Sequence, residues 1–279
     1  MSVAAAAAAA GPLYKPAMAL EFFKAAGTPE RIPAGKVIFT EGGKRLLARH
    51  RMYLLISGEV DLLSRKKVIA TLKAGELFGE LAAIDGAPRT ASAMAKKDCR
   101  LISLDEKQFY AALRKKPGFA LMLMSVMIRR LRDTITQLAA AGDMSEKEAT
   151  KESVTFEPKI LADLVRGLAD DPPMFFLQGA QIIRSGQTGL RMYAIVEGRV
   201  TVTIGGRVVE RLGPGGVFGE AALVDQSTRL ASAVAESDCS LLAISRQAFM
   251  ALVKVSPQFA DAILASLAER MRFLTARLQ

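Results

Sequence analysis

The sequence predicts an α+β protein of two tandem domains, each a small β-barrel or jelly roll followed by a long helix. The chain repeats itself at an offset of 140 residues, from Met52/Met192 to Arg132/Arg272, and about a third of the paired positions carry the same residue. Each copy holds several short β-prone segments punctuated by glycine, which is typical of a barrel or jelly roll. A repeat this long indicates a duplicated domain rather than a solenoid.

The elements of the first copy follow from its periodicity and its turn residues. We predict a helix over 15–26, a turn and strand over 32–39, two strands within 52–63 about Gly58, a strand over 68–72, two strands within 91–104, helical periodicity over 105–113, and a long helix from Pro117 to about Ala141. The apolar positions of the long helix form a broad stripe suited to packing.

The second copy restates this plan. We predict a helix over 158–168, a turn and strand over 178–183, two strands within 192–204, a hairpin turn at Gly205-Gly206, a strand over 208–212, and a final helix that Pro257 opens. The predicted domains are therefore 15–141 and 158–279, preceded by a disordered Ala-rich tail at 1–14 and joined by a polar linker at 142–157.

One difference between the copies is a basic insertion. The distance from Gly35 to Met52 is about four residues longer than that from Gly179 to Met192, and the extra residues fall within 42–51, which includes the basic run Lys44–Arg51. This insertion is either a partner-docking loop or a surface loop that the fold tolerates, since loops accept insertions at little cost.

Composition narrows the classes of function. The net charge of +10 favours anionic ligands, but the positive charge is spread along the chain and no RNA-binding signature appears. Cys99 and Cys239 occupy the same position in the two copies, so small core residues are expected rather than a disulfide. With His50 as the single histidine, no zinc site is expected. No nucleophile–base set is apparent, so we expect no enzyme and no cofactor.

The location of the protein is also predicted from the sequence. The alanine tract at 4–10 is too short for a membrane span and lacks the basic start of a signal peptide. The cysteine usage fits a reducing compartment. We therefore expect a cytoplasmic protein without a membrane partner.

A compact motif occurs twice, as FGELAAIDGAPRTASA at 78–93 and FGEAALVDQSTRLASA at 218–233. We call these segments cassette 1 and cassette 2. Gly79 allows a tight backbone turn, the residues after it can form a helical turn whose N-terminus favours an anion, and Arg89 can contact two phosphate oxygens. The small Ala91 leaves room for a ring. These features indicate an anion site.

The carboxylate of Glu80 would repel a phosphate unless it faces another group. The expected partner is a sugar hydroxyl of the ligand, which would donate a hydrogen bond to the carboxylate. A deoxy sugar lacks this hydroxyl and would leave the carboxylate unpaired. The alternative is that Glu80 and Arg89 form an internal ion pair that closes the loop.

In order and spacing, the segments PAGKVIF, MYLLISGEV and cassette 1, followed by DCRLISL, resemble the cyclic nucleotide-binding domain. This domain occurs in bacterial catabolite activators, kinase regulatory subunits and cyclic-nucleotide-gated channels. The resemblance covers nearly the whole chain twice. It implies β-rolls flanked by helices, with Glu80 on the ribose 2′-hydroxyl and Arg89 on the cyclic phosphate, and with Glu220 and Arg229 equivalent in the second copy.

The resemblance yields two sets of candidate binding residues. Site 1 comprises Phe78, Gly79, Glu80, Leu81, Ala82, Arg89, Thr90, Ala91 and Thr134. Site 2, expected to be weaker or silent, comprises Phe218, Gly219, Glu220, Ala221, Ala222, Arg229, Leu230 and Ala231.

Base selectivity is expected to depend on two threonines. Thr90 follows the phosphate arginine, and Thr134 matches the helix threonine with which the bacterial activators read the adenine amino group. The resemblance therefore favours cyclic AMP over cyclic GMP at site 1. Leu230 and Leu274 replace the two threonines in the second copy.

The expected function is that of a cyclic-nucleotide sensor or regulatory protein which changes a partner surface on binding. A degenerate structural or protein-interaction module is one alternative. The other is a transcription regulator of the catabolite-activator type, which is disfavoured because no helix-turn-helix follows the last helix. If the two long helices pack together, the chain is a monomeric pseudo-dimer; otherwise they could mediate a homodimer.

Overall fold

A computed structural model of the protein describes residues 16–43, 50–141, 152–169 and 171–277. The predicted Ala-rich tail lies outside these residues, as do 44–49 of the basic insertion and 142–151 of the predicted linker. The predicted fold class is confirmed, since two sheet-rich domains occur in tandem, each with flanking helices and a long helix after its last strands.

The elements of the first repeat follow one another closely along the chain. The helices are α1 (Pro16–Ala26), α2 (Glu80–Asp85), α3 (Glu106–Lys115) and α4 (Pro117–Ala141), and the strands are β1 (Thr28–Ile32), β2 (Val37–Phe39), β3 (Met52–Ser57), β4 (Val60–Ser64), β5 (Lys67–Leu72), β6 (Leu77–Phe78), β7 (Ser92–Ala95) and β8 (Cys99–Leu104).

The second repeat has the same order of elements, with one additional short strand at its start. The helices are α5 (Pro158–Gly167), α6 (Glu220–Asp225), α7 (Arg246–Val255) and α8 (Pro257–Arg277), and the strands are β9 (Glu152–Ser153), β10 (Met174–Phe176), β11 (Gln181–Ile183), β12 (Arg191–Glu197), β13 (Val200–Ile204), β14 (Arg207–Leu212), β15 (Val217–Phe218), β16 (Ser232–Ala235) and β17 (Cys239–Ser245).

Two four-stranded antiparallel sheets build the first β-roll, in the orders β1-β8-β3-β6 and β2-β7-β4-β5. Alternate residues of both sheets point into a shared core, as the period of two requires. The core residues are Tyr53, Leu55, Val60, Leu72, Phe78, Ala93, Ala95, Cys99 and Leu101. Cassette 1 therefore starts and ends on strands whose inner side chains are fixed by packing.

The second β-roll has the same two sheets, in the orders β10-β17-β12-β15 and β11-β16-β13-β14-β9. Strand β9 is the difference, because it pairs in parallel with β14 and falls within the predicted linker. Phe156, in the same segment, is 1% exposed and stacks on Phe259 at 5.4 Å. The end of the predicted linker, from 152 to 157, thus contributes a strand and a core aromatic residue.

The described residues divide into two compact units, and the divisions fall inside the long helices rather than at the predicted linker. The first-cassette unit comprises 16–123 and 268–277, and the second-cassette unit comprises 124–267. Helix α4 therefore begins in the first-cassette unit and ends in the second, whereas α8 does the reverse. Each cassette shares its unit with the C-terminal part of the helix that follows the other cassette.

The equivalent hairpins of the two repeats make their turns with different residues. Gly205 and Gly206 turn between β13 and β14 with φ of 59° and 82°, as predicted for a hairpin turn. Arg65 and Lys66 occupy the same positions between β4 and β5, with φ of 47° and 68°. Residues with a Cβ are uncommon in this region of backbone conformation, so the first hairpin carries local strain.

Cys99 and Cys239 are free and buried, which confirms the prediction that they are core residues. Each thiol donates to two backbone carbonyls of its own repeat. Within the described ranges, no single helix is both long and apolar enough to cross a bilayer; α7 and α8 meet that test only as a pair bent by 111°.

Candidate functional site

The second residue of each cassette is a glycine in the left-handed backbone conformation. Gly79 follows β6 with φ of 76°, and α2 begins at the next residue. A Cβ at Gly79 would lie 2.7 Å from Arg89 Nη1 and 3.0 Å from the Arg51 carbonyl oxygen. Glycine is therefore required here for two reasons, the backbone conformation and the close approach of the Arg89 guanidinium.

The Arg89 guanidinium folds back over this turn. Nη1 donates to the Gly79 carbonyl at 2.7 Å, and Nη2 donates to the Arg51 carbonyl at 2.6 Å. Its Cζ lies 4.2 Å from the centroid of the Phe39 ring. The charged group is thus held in place by two carbonyl dipoles and one aromatic face.

Burial dominates the electrostatics of Arg89. It lowers the pKa of the guanidinium from its ordinary value, the Arg272 cation lowers it further, and Tyr53 and Glu80 oppose the change. A cation that has lost hydration and lies near a second cation favours an anionic ligand. Burial, assisted by the Glu30 carboxylate, raises the pKa of the Tyr53 phenol, and the Arg89 cation opposes this.

Glu80 is the first residue of α2 and is 4% exposed. A carboxylate buried to this degree requires hydrogen-bond donors. Glu80 also influences the Arg89 guanidinium electrostatically, so the two predicted ligand-binding groups lie in one neighbourhood. The remaining cassette 1 candidates are described within the same segment: Phe78, Ala82 and Ala91 are buried, and Leu81 and Thr90 are half-buried.

Cassette 2 repeats this arrangement. Gly219 has φ of 85°, and Glu220 is 4% exposed at the start of α6. Arg229 donates to the Gly219 carbonyl at 2.6 Å and to the Arg191 carbonyl. Burial lowers the pKa of the Arg229 guanidinium, and Tyr193 and Glu220 oppose this. Phe218 and Ala222 are buried, whereas Ala221, Leu230 and Ala231 are half-buried.

The two arginines differ in their surroundings. Arg229 is 8% exposed and passes so close to Gly189 that a Cβ there would lie 2.0 Å from its Nε. The position equivalent to Phe39 is Ile183, because both residues face the matching alanines of β7 and β16 in register. The second guanidinium therefore has an aliphatic neighbour where the first has an aromatic ring.

The structure places Thr134, which was predicted for site 1, in the second-cassette unit, where it is 9% exposed. Leu274, which replaces this threonine in the second copy, lies in the first-cassette unit and is 6% exposed. The physical reason is that the ends of α4 and α8 are exchanged between the units, which periodicity within one helix does not reveal.

Sequence reasoning missed an ion pair at each cassette. Asp85, at the end of α2, pairs with Arg272 of α8, and Asp225, at the end of α6, pairs with Arg132 of α4. A signal was present, since all four residues recur at the repeat offset. Among the residues that the structure describes, no group of three or more His, Cys, Asp or Glu side chains could hold a metal ion.

Comparison with known proteins identifies the duplicated unit. A family model described as the cyclic nucleotide-binding domain matches residues 29–116 and 173–256. Both matches contain one cassette and the strands that carry it, and together they cover more than half of the chain.

Three known proteins illustrate the similarity. A cyclic AMP receptor protein of Thermus thermophilus is 31% identical over 200 residues, which is 70% of this chain and 85% of the relative. A cAMP-dependent protein kinase regulatory subunit of Dictyostelium discoideum is 29% identical over 229 residues, which is 77% of this chain and 62% of that relative. The crystal structure of the Thermus thermophilus catabolite activator protein superposes with a TM-score of 0.40 at 26% identity, covering 57% of this chain and 70% of that one.

The two cassettes, the β-rolls that carry them and the two family matches agree with one another in position. The resemblance deduced from the sequence is confirmed, and the chain belongs to the cyclic nucleotide-binding domain family, of which it carries two tandem copies.

Proposed function

We propose that the protein is a cyclic-AMP-responsive regulatory protein that binds the nucleotide at its cassettes and carries out no catalysis of its own. The observation that carries the proposal is that Arg89 and Glu80 lie close together next to Gly79, a glycine in the left-handed conformation. The same arrangement recurs at Arg229, Glu220 and Gly219. One group is a desolvated cation and the other a buried carboxylate.

The chemistry of a cyclic nucleotide matches these two groups. Its phosphate carries one negative charge, and a guanidinium can donate to two of its oxygens at once. The phosphate would take over the N–H groups that Arg89 now directs at the Gly79 and Arg51 carbonyls. The ribose 2′-hydroxyl would donate to Glu80, which would explain why a carboxylate is tolerated next to an anion site.

The preference for cyclic AMP over cyclic GMP rests on Thr134, which resembles the adenine-reading threonine of the bacterial activators. Because Thr134 belongs to the second-cassette unit, we expect its contribution at cassette 2. Thr134→Ala should lower the ratio of cyclic AMP to cyclic GMP affinity there. Binding in an Arg89→Ala background, where cassette 2 alone is intact, measures this ratio.

We further propose that cassette 2 is the weaker site. Leu230 replaces the hydroxyl of Thr90, so a polar contact that cassette 1 offers is missing from cassette 2. The second cation that acts on Arg89, Arg272, also makes the surroundings of cassette 1 more favourable to an anion.

The C-terminal parts of α4 and α8 are exchanged between the two units of a single chain, which supports a monomeric pseudo-dimer. Sedimentation equilibrium should then give a mass of 29.9 kDa.

Regulation would follow from differential affinity. A ligand that binds one arrangement of a cassette and its helices more tightly shifts the population toward it. A protein partner that contacts the helices would sense this shift. We expect this partner to be a protein rather than DNA.

Isothermal titration calorimetry with cyclic AMP and cyclic GMP tests the proposal. Arg89→Ala should weaken binding at cassette 1 by at least about 2 kcal/mol, or roughly 30-fold, because a charged contact to the phosphate is lost. Arg229→Ala should do the same at cassette 2, and the double variant should bind neither nucleotide. Arg166→Ala, which removes an exposed i,i+3 ion pair with Asp163, is the matched control.

The outcomes separate the three interpretations. Absence of heat with either nucleotide at high micromolar concentration would favour a structural or interaction module. Binding to duplex DNA that weakens steeply with salt would revive the transcription regulator. Normal binding by Arg89→Ala would remove the site assignment.

A further inference from the structure

Each cassette is contacted by an arginine from the helix that follows the other cassette. Arg272 of α8 reaches the end of α2 in the first-cassette unit, and Arg132 of α4 reaches the end of α6 in the second-cassette unit. The two arginines are equivalent positions of the repeat, as are Asp85 and Asp225.

The contact at cassette 1 is bidentate and extends to the backbone. Arg272 Nε and Nη2 donate to the two carboxylate oxygens of Asp85, the latter at 2.8 Å. Nη1 donates to the Pro88 carbonyl at 2.6 Å, and Nη2 also donates to the Ala87 carbonyl at 3.3 Å. Pro88 immediately precedes Arg89, so Arg272 fixes the backbone from which the phosphate-binding side chain extends.

Asp85 is itself held in the orientation that this contact needs. One of its carboxylate oxygens accepts a hydrogen bond from the Ala87 amide at 2.9 Å. The Asp85 and Arg272 side chains are 18% and 21% exposed, so most of the pair is shielded from water. Shielding and two-point geometry make such a pair stronger than an ordinary surface ion pair.

The contact at cassette 2 has the same design. Arg132 donates to Asp225 from Nε at 2.6 Å and from Nη2 at 3.3 Å, and Nη2 also donates to the Thr228 carbonyl at 3.2 Å. Thr228 immediately precedes Arg229. Asp225 accepts from the Ser227 amide at 3.0 Å. The same contact at matching positions of both copies indicates a feature of the repeat rather than an incidental surface contact.

We propose that Arg272 is a positioning residue of site 1 and Arg132 a positioning residue of site 2, so that each cassette is completed by the helix which follows the other cassette. This inference rests on the proposed function of the cassettes. At cassette 1 the arginine binds an aspartate and two backbone carbonyls, and at cassette 2 an aspartate and one backbone carbonyl. Each contact holds the residues that directly precede the phosphate-binding arginine. The arginine of the second repeat therefore serves the first cassette, and the arginine of the first repeat serves the second, which we call the crossed assignment.

The electrostatics of Arg89 agree with this geometry. The positive charge of Arg272 lowers the pKa of the Arg89 guanidinium, which requires the two cations to be close. Arg272 therefore adds positive potential at cassette 1 in addition to holding the backbone. Both effects favour a bound anion, and both are lost when the guanidinium is removed.

The test measures the affinity of each site separately, in the full chain. The Arg229→Ala background reports site 1 and the Arg89→Ala background reports site 2. Arg272→Ala should weaken cyclic AMP binding about five- to thirty-fold at site 1 and leave site 2 within about twofold, whereas Arg132→Ala should do the reverse. Arg166→Ala is the control for loss of an arginine elsewhere.

Charge reversal distinguishes positioning from general stability. Asp85→Arg combined with Arg272→Asp restores a pair of opposite charges, and it should recover part of the site 1 affinity that either single reversal loses. A purely structural role would lower the affinities of both sites together. Loss of affinity at the site on the same repeat as the altered arginine, or at neither site, would overturn the crossed assignment.

Amide hydrogen exchange provides a readout that needs no ligand. Arg272→Ala should accelerate exchange in residues 80–90 and spare residues 220–230, and Arg132→Ala should show the opposite pattern. Unchanged exchange in 80–90 would contradict the proposal. If the unaltered protein binds no cyclic nucleotide but the crossed exchange pattern is present, the proposed function fails and the crossed contact is retained.

Discussion

The Arg89 guanidinium lies over the ring of Phe39, with Cζ 4.2 Å from the ring centroid. Phe39 packs in turn against Tyr53 and Phe78, at centroid distances of 5.9 Å and 6.0 Å. The ring is therefore fixed by the core of the β-roll. Through this contact the hydrophobic core determines where the cation of cassette 1 is held.

Phe39→Ile, which installs the residue that the second repeat has at this position, should weaken cyclic AMP binding at site 1. The expected loss is about two- to thirty-fold, since a cation–π contact is worth about 0.5–2 kcal/mol. Calorimetry in the Arg229→Ala background measures it. Val37→Ala, an exposed position on the same strand, is the control. An unchanged affinity would mean that the two carbonyls suffice to place the guanidinium.

Glu80→Gln should lower the affinity of site 1 for cyclic AMP by about 10- to 150-fold, because a hydrogen bond to a charged acceptor is worth about 1.5–3 kcal/mol. The loss should be much smaller for 2′-deoxy cyclic AMP, which has no hydroxyl to donate. The ratio of the two affinities, measured by competition, is the decisive quantity. If that ratio stays the same in the variant, Glu80 does not contact the 2′-hydroxyl.

Lys66→Gly should stabilise the first-cassette unit, because φ of 68° strains a residue with a Cβ. The expected gain in unfolding free energy is up to about 1 kcal/mol, reduced by the greater freedom of glycine in the unfolded chain. Urea unfolding followed by far-ultraviolet circular dichroism measures the gain. The reverse change, Gly206→Lys in the equivalent hairpin, should destabilise. If both substitutions raised the unfolding free energy, or both lowered it, this explanation would be contradicted.

The Cys99 thiol should react slowly with iodoacetamide in the folded protein. Burial raises the pKa of the thiol, so less of the reactive thiolate is present at a given pH. Because the unfolded thiol ionises first, the unfolding free energy should fall as the pH rises above the ordinary value of about 8.5. Mass spectrometry of labelled peptides, with a denatured sample as reference, follows the reaction. Equal rates in both samples would contradict it.

The local elements were predictable because each is encoded within a short segment. The helix predicted from Pro117 to about Ala141 agrees with α4, and the hairpin at Gly205-Gly206 agrees with the observed turn. Helix α3 extends to Lys115, two residues beyond the predicted end. At its other end, the side chains of Asp105 and Gln108 form a capping box, which the pattern of apolar residues does not reveal. The sequence also predicted a buried carboxylate and an arginine close together in each cassette, because a doubled motif restricts their chemistry, and their role in ligand binding stays a prediction.

The exchanged contacts could not be predicted in the same way. Asp85 and Arg272 are 187 positions apart, and the pattern of a helix specifies a packing face but not its partner. The placement of Thr134 in the second-cassette unit depends on that missing information. The turn at Arg65-Lys66 was also not predictable from the sequence, because the pairing of β4 with β5 overrides the preference of these residues for negative φ.

The exchange of helix ends has a practical consequence for dividing the protein. Cutting the gene between the repeats would separate cassette 1 from the arginine that contacts it, because Arg272 is encoded near the opposite end of the sequence. A C-terminal fragment beginning at Pro158 would also lack β9 and Phe156, leaving the edge of β14 bare. Halves of this gene are therefore not halves of the folded molecule, and mutational scans of isolated repeats would assign defects to the wrong cassette.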